Sequence, residues 1–360
     1  MRILIITHSP LSAEFGAGQM ALHLTEALKS QGHDAVLWSP QPLSHTRWWQ
    51  SLHQMRSKVD AFIESQAPFD AIDSPAALIT RRMRRSAFVV ARSTQPDILY
   101  LLSDFKSPFR LSVKNIVRVP AGRIYTLFHM CLVLIGWARA NLIICLGTLE
   151  LDWMKRWFPF WRKKLCSYMN ALSGADQAAL SAIREQRAGR RADSLRFLWI
   201  GRWVSHKGHD VLLDFIKSWS SVRPQDTFTI AGCGIEAEKD CRAALPRPEG
   251  VITVPSFDRD QLYSLLAEND VGLFTSRVEG WGLVLNEMLE SGMPVFSTPA
   301  GGTPDLQPFF VDRLRPFPPP HTISDLRNGH VEFKSYYKVF AWESIASGYV
   351  NSIRAMMNSR

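Results

Sequence analysis

The stretch Phe197-Leu198-Trp199-Ile200-Gly201-Arg202-Trp203-Val204-Ser205-His206-Lys207-Gly208 decides the fold. Four apolar residues in a row, ended by glycine, read as a buried strand of a parallel sheet. A turn with two glycines and two cations follows, and residues 209–219 then have helical spacing. Strand, glycine turn and helix are the repeating parts of an α/β fold. The alternation continues downstream, with strands at 227–231, 250–254, 271–274 and 294–296 and helices at 261–268 and 284–291. Upstream, strands fall at 2–7, 35–38, 69–72, 87–91 and 142–146, and helical patterns follow Gly18 and cover 48–66. Between Asn170 and Arg196 the pattern gives way to Ser, Ala, Gly, Gln and Arg. The expectation is two α/β domains in tandem, residues 1–170 and 197–339. A hinge spans 171–196, and 340–360 forms a closing segment with a helix at 342–357.

Composition agrees with an ordinary globular chain of 360 residues, 46% hydrophobic and 21% charged. That excludes a disordered chain, a collagen-like fibre and a coiled-coil rod. The longest apolar stretch, 127–137, contains His129 and is far short of the roughly 20 residues of a membrane span. The five cysteines are scattered without a CxxC pair, which points to a reducing cytoplasmic compartment and no zinc site. No secretory leader is expected, because 3–6 suits a buried strand better.

The net charge of +9 is concentrated in the first half. Arg81, Arg82, Arg84 and Arg85 form one cluster. Lys106, Arg110, Lys114 and Arg118 recur every four residues, as on one helix face. Lys155, Arg156, Arg162, Lys163 and Lys164 are interleaved with Trp153, Trp157 and Trp161. Cations mixed with aromatics suit an anionic membrane surface; solvated helix faces with core tryptophans are the plainer alternative. No nucleic-acid module accompanies the charge, so no nucleic-acid partner is expected.

Three glycine-bearing turns carry the chemistry. Gly201 to Gly208 joins a strand to a helix, with Arg202 and Lys207 available to a phosphate beside a helix N-terminus. Glu279-Gly280-Trp281-Gly282-Leu283-Val284-Leu285-Asn286-Glu287 follows another strand and opens a helix. It offers two carboxylates to hydroxyl pairs and glycines that leave amides accessible. Pro299-Ala300-Gly301-Gly302-Thr303-Pro304-Asp305 is a third such loop. Asp258-Arg259-Asp260 has the form of a metal motif. It directly precedes a helix, so Asp258 is expected as an N-cap and Asp260 in the first turn.

Taken together, these segments resemble the group 1, family 4 retaining glycosyltransferases of GT-B fold. The matching features are G-R-x4-K-G at Gly201–Gly208, Ala231-Gly232-Cys233-Gly234, the run from Ser276 to Glu287, Gly292-Met293-Pro294-Val295, and Gly301 to Asp305, in order over 197–305. The N-terminal half is similar in Gly16-Ala17-Gly18-Gln19, Gln31-Gly32-His33-Asp34 and Asn170-Ala171-Leu172. It departs after the fourth strand, where Thr94 stands in place of the usual His.

The resemblance implies two Rossmann-like domains facing each other across a cleft, with the last helix packing back on the first. It implies a nucleotide-diphospho-sugar donor, a glycan or lipid-linked acceptor, and no metal or other cofactor. Arg202, Lys207 and Glu279 would be catalytic. Gly16, Gly18, Gly201, Gly232, Gly280, Trp281, Gly282, Leu283 and Glu287 would bind the donor, with Glu287 on the ribose. Thr94, Asp97 and His8 are the candidates for sugar contacts. A sugar-nucleotide epimerase or phosphorylase on the same fold is an alternative, as is a binding scaffold without catalysis.

Overall fold

The structure is a computed structural model of the chain and describes residues 1–11, 16–43, 50–106, 115–187, 194–320 and 331–359. The chain divides into two compact units, one of residues 1–170 and 338–360 and one of 171–337.

The first unit alternates strand and helix. Its strands are β1 (Arg2–Ile6), β2 (Asp34–Trp38), β3 (Ala71–Ser74), β4 (Phe88–Arg92), β5 (Leu142–Leu146) and β6 (Leu165–Tyr168). Its helices are α1 (Gly16–Ser30), α2 (Ser51–Ser65), α3 (Arg81–Ser86), α4 (Asp97–Lys106), α5 (Asn115–Arg139) and α6 (Gly147–Trp157). The strands pair in parallel in the order β2-β1-β3-β4-β5-β6. The β3, β4 and β5 strands are buried throughout, as a sheet covered by helices on both faces requires.

Sequence pattern placed the third strand at 69–72, two residues early. The true strand includes Asp73, a charge that hydropathy reads as a turn. Asp73 and Arg92 are fully buried and paired across β3 and β4, with Nε donating to Oδ1 at 2.8 Å. Burial pushes the Asp73 carboxyl up, against the pull of Arg92.

The second unit holds α7 (Gly174–Arg187), β7 (Arg196–Ile200), α8 (His209–Val222), β8 (Thr227–Ala231), α9 (Glu236–Ala244) and β9 (Val251–Val254). It continues with α10 (Arg259–Glu268), β10 (Val271–Phe274), α11 (Leu283–Glu290), β11 (Val295–Ser297), α12 (Thr303–Leu306), β12 (Leu314–Pro316) and α13 (Phe333–Val339), which straddles the division. Its parallel order is β12-β11-β10-β7-β8-β9. The inner face of α8 presents Leu212, Phe215, Ile216 and Trp219, spaced as one helical stripe. Phe197 on β7 meets Trp219 of this stripe edge-on at 5.1 Å and stacks on Phe228 of β8 at 5.0 Å. Each such ring pair adds about 0.5–1.5 kcal/mol beyond area burial.

Two expectations differ from the structure. The stretch 171–196, read as a hinge, carries helix α7, which belongs to the second unit and buries Asp176, Leu180 and Ile183. Its small polar residues hide an amphipathic stripe of only a few apolar positions. The Trp-rich basic segment does not form one face. Trp153 and Trp161 pack against the core of the first unit, while Trp157 is 62% exposed. Of the other basic face, Arg110 and Lys114 lie outside the described residues, and the side chains of Lys106 and Arg118 are not described.

The chain ends in α14 (Trp342–Asn358), within the first unit. Trp342, Ile345, Ala346, Tyr349, Val350 and Ile353 form its buried stripe. Gln31 Nε2 donates to the Glu343 carbonyl at 2.7 Å. Tyr349 donates to Asp73 Oδ2 at 2.8 Å, joining the buried ion pair. Asp73→Ala leaves Arg92 buried without its counter-charge and should destabilise the chain by about 3–5 kcal/mol. Removing the more exposed Arg2–Asp34 pair through Asp34→Ala should change stability by about 1 kcal/mol or less. Denaturant melts of the two variants measure the contrast; equal losses would mean the buried pair carries no special weight.

Candidate functional site

In an open parallel sheet, ligands bind outside the carboxyl ends of the strands, where the order reverses. In the second unit that reversal lies at β7, flanked by β10 and β8. The loops leaving β7 and β10 are two of the three that the sequence singled out.

They are locked together. The Trp199 indole donates to Thr275 Oγ1 at 2.9 Å, and Thr275 Oγ1 donates to the Lys207 carbonyl at 2.9 Å. Gly208 sits at φ +69°, and a Cβ there would lie 2.1 Å from the Thr275 carbonyl oxygen. Only glycine permits that approach. The result is direct contact between two predicted residues: Lys207 Nζ hydrogen-bonds Glu279 Oε2. Ser276 Oγ also donates to Glu279 Oε2, at 3.1 Å. Burial raises the Glu279 carboxyl, but Lys207, Ser276 and His206 more than offset it, and its pKa falls below the usual value. Glu279 therefore stays ionised and keeps an ammonium aimed across the loop. Arg202 is exposed, and among the described residues no ion pair engages it. Gly201 follows β7, and Gly232 follows β8 at φ +70°.

The rest of the glutamate loop is built from within. Gly280 is buried, and Gly282 caps α11, whose first residue is Leu283. The Trp281 side chain is 2% exposed and donates to Asn286 Oδ1 at 2.7 Å. Asn286 Nδ2 donates to the Tyr336 hydroxyl at 2.8 Å, and Tyr336 donates to Glu290 Oε1 at 2.7 Å. The indole thus braces the loop.

Glu287, 4% exposed, accepts from Arg259 Nη1 at 2.6 Å. Arg259 Nε donates to Asp176 Oδ1 at 2.8 Å, and Tyr263 adds a bond to the same oxygen at 2.6 Å. Burial raises the Glu287 pKa despite Arg259. Sequence reasoning missed Arg259 as a partner because its neighbours already had a role. Asp258 is the N-cap of α10 in a full capping box with Gln261, and Asp260 lies in the first turn, as expected. The pairing joins residues 28 and 83 positions apart, which no local spacing signals.

In the first unit the order reverses between β1 and β3. Gly16 heads α1, and Gly18 lies in its first turn. His8 follows β1; burial, Arg92 and His129 push its pKa down to about 4, so the imidazole is neutral at pH 7. Thr94 follows β4 and is half-buried. Asp97 opens α4 and is raised by burial to about 7. Glu150, which the sequence did not flag, accepts from Leu146 N at 2.6 Å and Ser93 Oγ at 2.8 Å. Burial, with a contribution from Asp97, raises it to about 8.

Each unit is thus a Rossmann-type sheet with its polar loops at the carboxyl edge, as in proteins that bind nucleotides. Residues 182–307 match the family model described as "Glycosyl transferases group 1". A curated relative is the phosphatidylinositol N-acetylglucosaminyltransferase gpi3 subunit of Schizosaccharomyces pombe. It is 31% identical over 125 residues, which is 34% of this chain and 27% of that protein. The chain therefore matches about a quarter of that relative's length. Among solved structures, sucrose-phosphate synthase from Thermosynechococcus elongatus superposes with a TM-score of 0.72 at 16% identity, covering 100% of both chains. Anabaena HepE in complex with UDP-glucose gives 0.56 at 17% identity, covering 100% of this chain and 99% of that one. These likenesses show the GT-B fold for the whole chain.

The raised carboxyls have a measurable consequence. Glu150 binds a proton in the folded state between its ordinary pKa of 4.5 and about 8. The unfolded state has released that proton, so folding stability falls as pH rises through this window, by up to about 1.4 kcal/mol per pH unit. Thermal melts across the window should show the decline, and Glu150→Gln should flatten it. A wild-type melting temperature that rises over the same range would contradict the assignment.

Proposed function

We propose that the chain is a retaining, family 4 type glycosyltransferase. It moves a hexosyl sugar from a nucleotide-diphospho-sugar to a glycan or lipid-linked acceptor of cell-envelope polysaccharide synthesis. It needs no metal and works in the cytoplasm, peripheral to an anionic membrane. The observation that carries the reading is the Lys207–Glu279 contact at the strand-order reversal, with exposed Arg202 on the same loop. The HepE complex with UDP-glucose and the phosphatidylinositol named in the yeast relative support the donor and acceptor classes.

In this reading the donor diphosphate lies over the Gly201–Gly208 turn. Arg202, Lys207 and the N-terminus of α8 neutralise the negative charge that grows as the glycosidic bond breaks. Lys207, held by Glu279, would meet that charge with little reorganisation. Glu279 fixes Lys207, and the backbone of Gly280 to Leu283 receives phosphate or sugar oxygens. Glu287, held by Arg259, accepts from the ribose hydroxyls, while Gly16 and Gly18 line the approach from the first unit. His8, Thr94 and Asp97 meet the sugar, with Thr94 in the position where histidine is usual.

Retention follows from attack on the face that the leaving group vacates, the departing phosphate taking the acceptor's proton. A double displacement requires an ionised nucleophile. Asp97 and Glu150, titrating at about 7 and about 8, are protonated for much of the time near neutrality and serve that role poorly.

Lys207→Ala should lower turnover of a UDP-hexose about 10²–10³-fold, the usual loss for one preorganised charge-stabilising donor, with the fold retained. Glu287→Ala should act mainly on donor affinity. Steady-state kinetics, after a thermal-shift screen of sugar nucleotides, test both. Near-normal turnover in the Lys207 variant would reject the mechanism.

A further inference from the structure

Helix α5 is apolar on two opposite faces. Val133 and Trp137 are buried in the core of the first unit. Gly136 lies so close to the chain at Ala76 that a Cβ would fall 1.9 Å from its carbonyl oxygen. The opposite face carries Ile124, Leu127, Phe128, Cys131 and Ile135. At 100° per residue these fall within an arc of about 100°. Ile124 is 68% exposed, and Leu127, Phe128 and Ile135 are 51%, 50% and 41% exposed. Residues 124–138 contain no Asp, Glu, Lys or Arg, and Arg123 and Arg139 bound the stretch. The outward face of an ordinary surface helix is charged or polar; this one is not. No helix among the described residues is long and apolar enough to cross a membrane, so a lipid-facing role for α5 is an in-plane one.

Cations gather at its C-terminal end. Lys164 Nζ donates to the carbonyls of Trp137 and Ala140. Its ammonium pKa is lowered to about 8 by burial and by Arg84. Arg81 likewise bears on Arg139. Arg84, Arg85, Arg162 and Lys163 are exposed. Within residues 81–85, Arg82 is the cation that forms an ion pair among the described residues, with Glu64. Beside them Phe160 is 72% exposed, its ring 4.8 Å from that of Trp161. An uncharged apolar stripe ending in uncompensated positive charge is complementary to one surface chemistry: acyl chains beneath anionic headgroups.

We infer that the outer face of α5, with the cations around Arg84 and Lys163, seats the first unit in the plane of an anionic lipid bilayer. Leu127, Phe128 and their neighbours enter the boundary between headgroups and acyl chains. This names the docking surface for the proposed membrane-borne acceptor and rests on that proposal for its purpose, but binding itself requires no catalysis.

The test uses the full chain and vesicles of phosphatidylglycerol and phosphatidylcholine in equal parts, against phosphatidylcholine alone. Sedimentation should show binding to the mixed vesicles, weakened at high salt because screening shortens the attraction. The double variant Leu127→Gln, Phe128→Gln alters exposed side chains and should keep the wild-type melt. Its vesicle affinity should fall about ten-fold or more, the expected result of losing two inserted apolar side chains. Arg84→Gln with Arg85→Gln should lose the preference for phosphatidylglycerol.

Equal binding by wild type and the apolar variant, or no wild-type binding, overturns the inference. So does lipid-free self-association that the apolar variant abolishes, which would make the stripe a contact between two copies. A UDP-sugar thermal shift without lipid separates the two proposals. If that shift is absent while vesicle binding behaves as expected, the function fails and the docking surface stands.

Discussion

The first unit depends on a pair of charges with no access to water. Asp73 and Arg92 face each other across neighbouring parallel strands, and a buried ion pair leans on the further hydrogen bonds its two members make. Tyr349 supplies one of those bonds from the last helix, 276 positions from Asp73. The carboxyl edge of the sheet therefore forms together with the C-terminal helix. That coupling explains why residues 338–360 belong to the unit that begins the chain. It also sets the electrostatics around it, since Arg92 is one reason the His8 imidazole stays neutral.

The second unit uses charge differently. Its Lys207–Glu279 pair is mostly buried between the loops, with the two side chains 18% and 10% exposed. Here the pair holds an ammonium in a fixed position beside the N-terminus of α8. The bracing lies one layer deeper, in the Trp281–Asn286–Tyr336–Glu290 chain and the Asp176–Arg259–Glu287 cluster. Both tie α11 to distant segments of its own unit. Preorganisation of this kind is what the proposed stabilisation of a departing phosphate requires.

Helix α5 shows the opposite economy. Its inner face is packed so closely that only glycine fits at 136, while its outer face leaves large apolar side chains open. Selection for the fold alone would put polar residues outside. The same first unit therefore presents two surfaces with separate chemistry, titratable groups at its carboxyl edge and an apolar, basic stripe along one flank.

The sequence by itself determined the fold class, the strand positions to within a few residues, and the glycine turns that follow the strands. Those signals are local: apolar runs of strand length, glycine after a strand, an N-cap at Asp258. It also brought Lys207 and Glu279 forward as candidates. Only the tertiary structure decided that the two touch, that Glu287 answers to Arg259, and that Trp281 is a brace. Only it showed that 174–187 is a helix and that Glu150 belongs with Asp97. Strand order brings these residues together across separations of tens to hundreds of positions. Burial then sets their protonation, and burial depends on neighbours that no window of sequence contains.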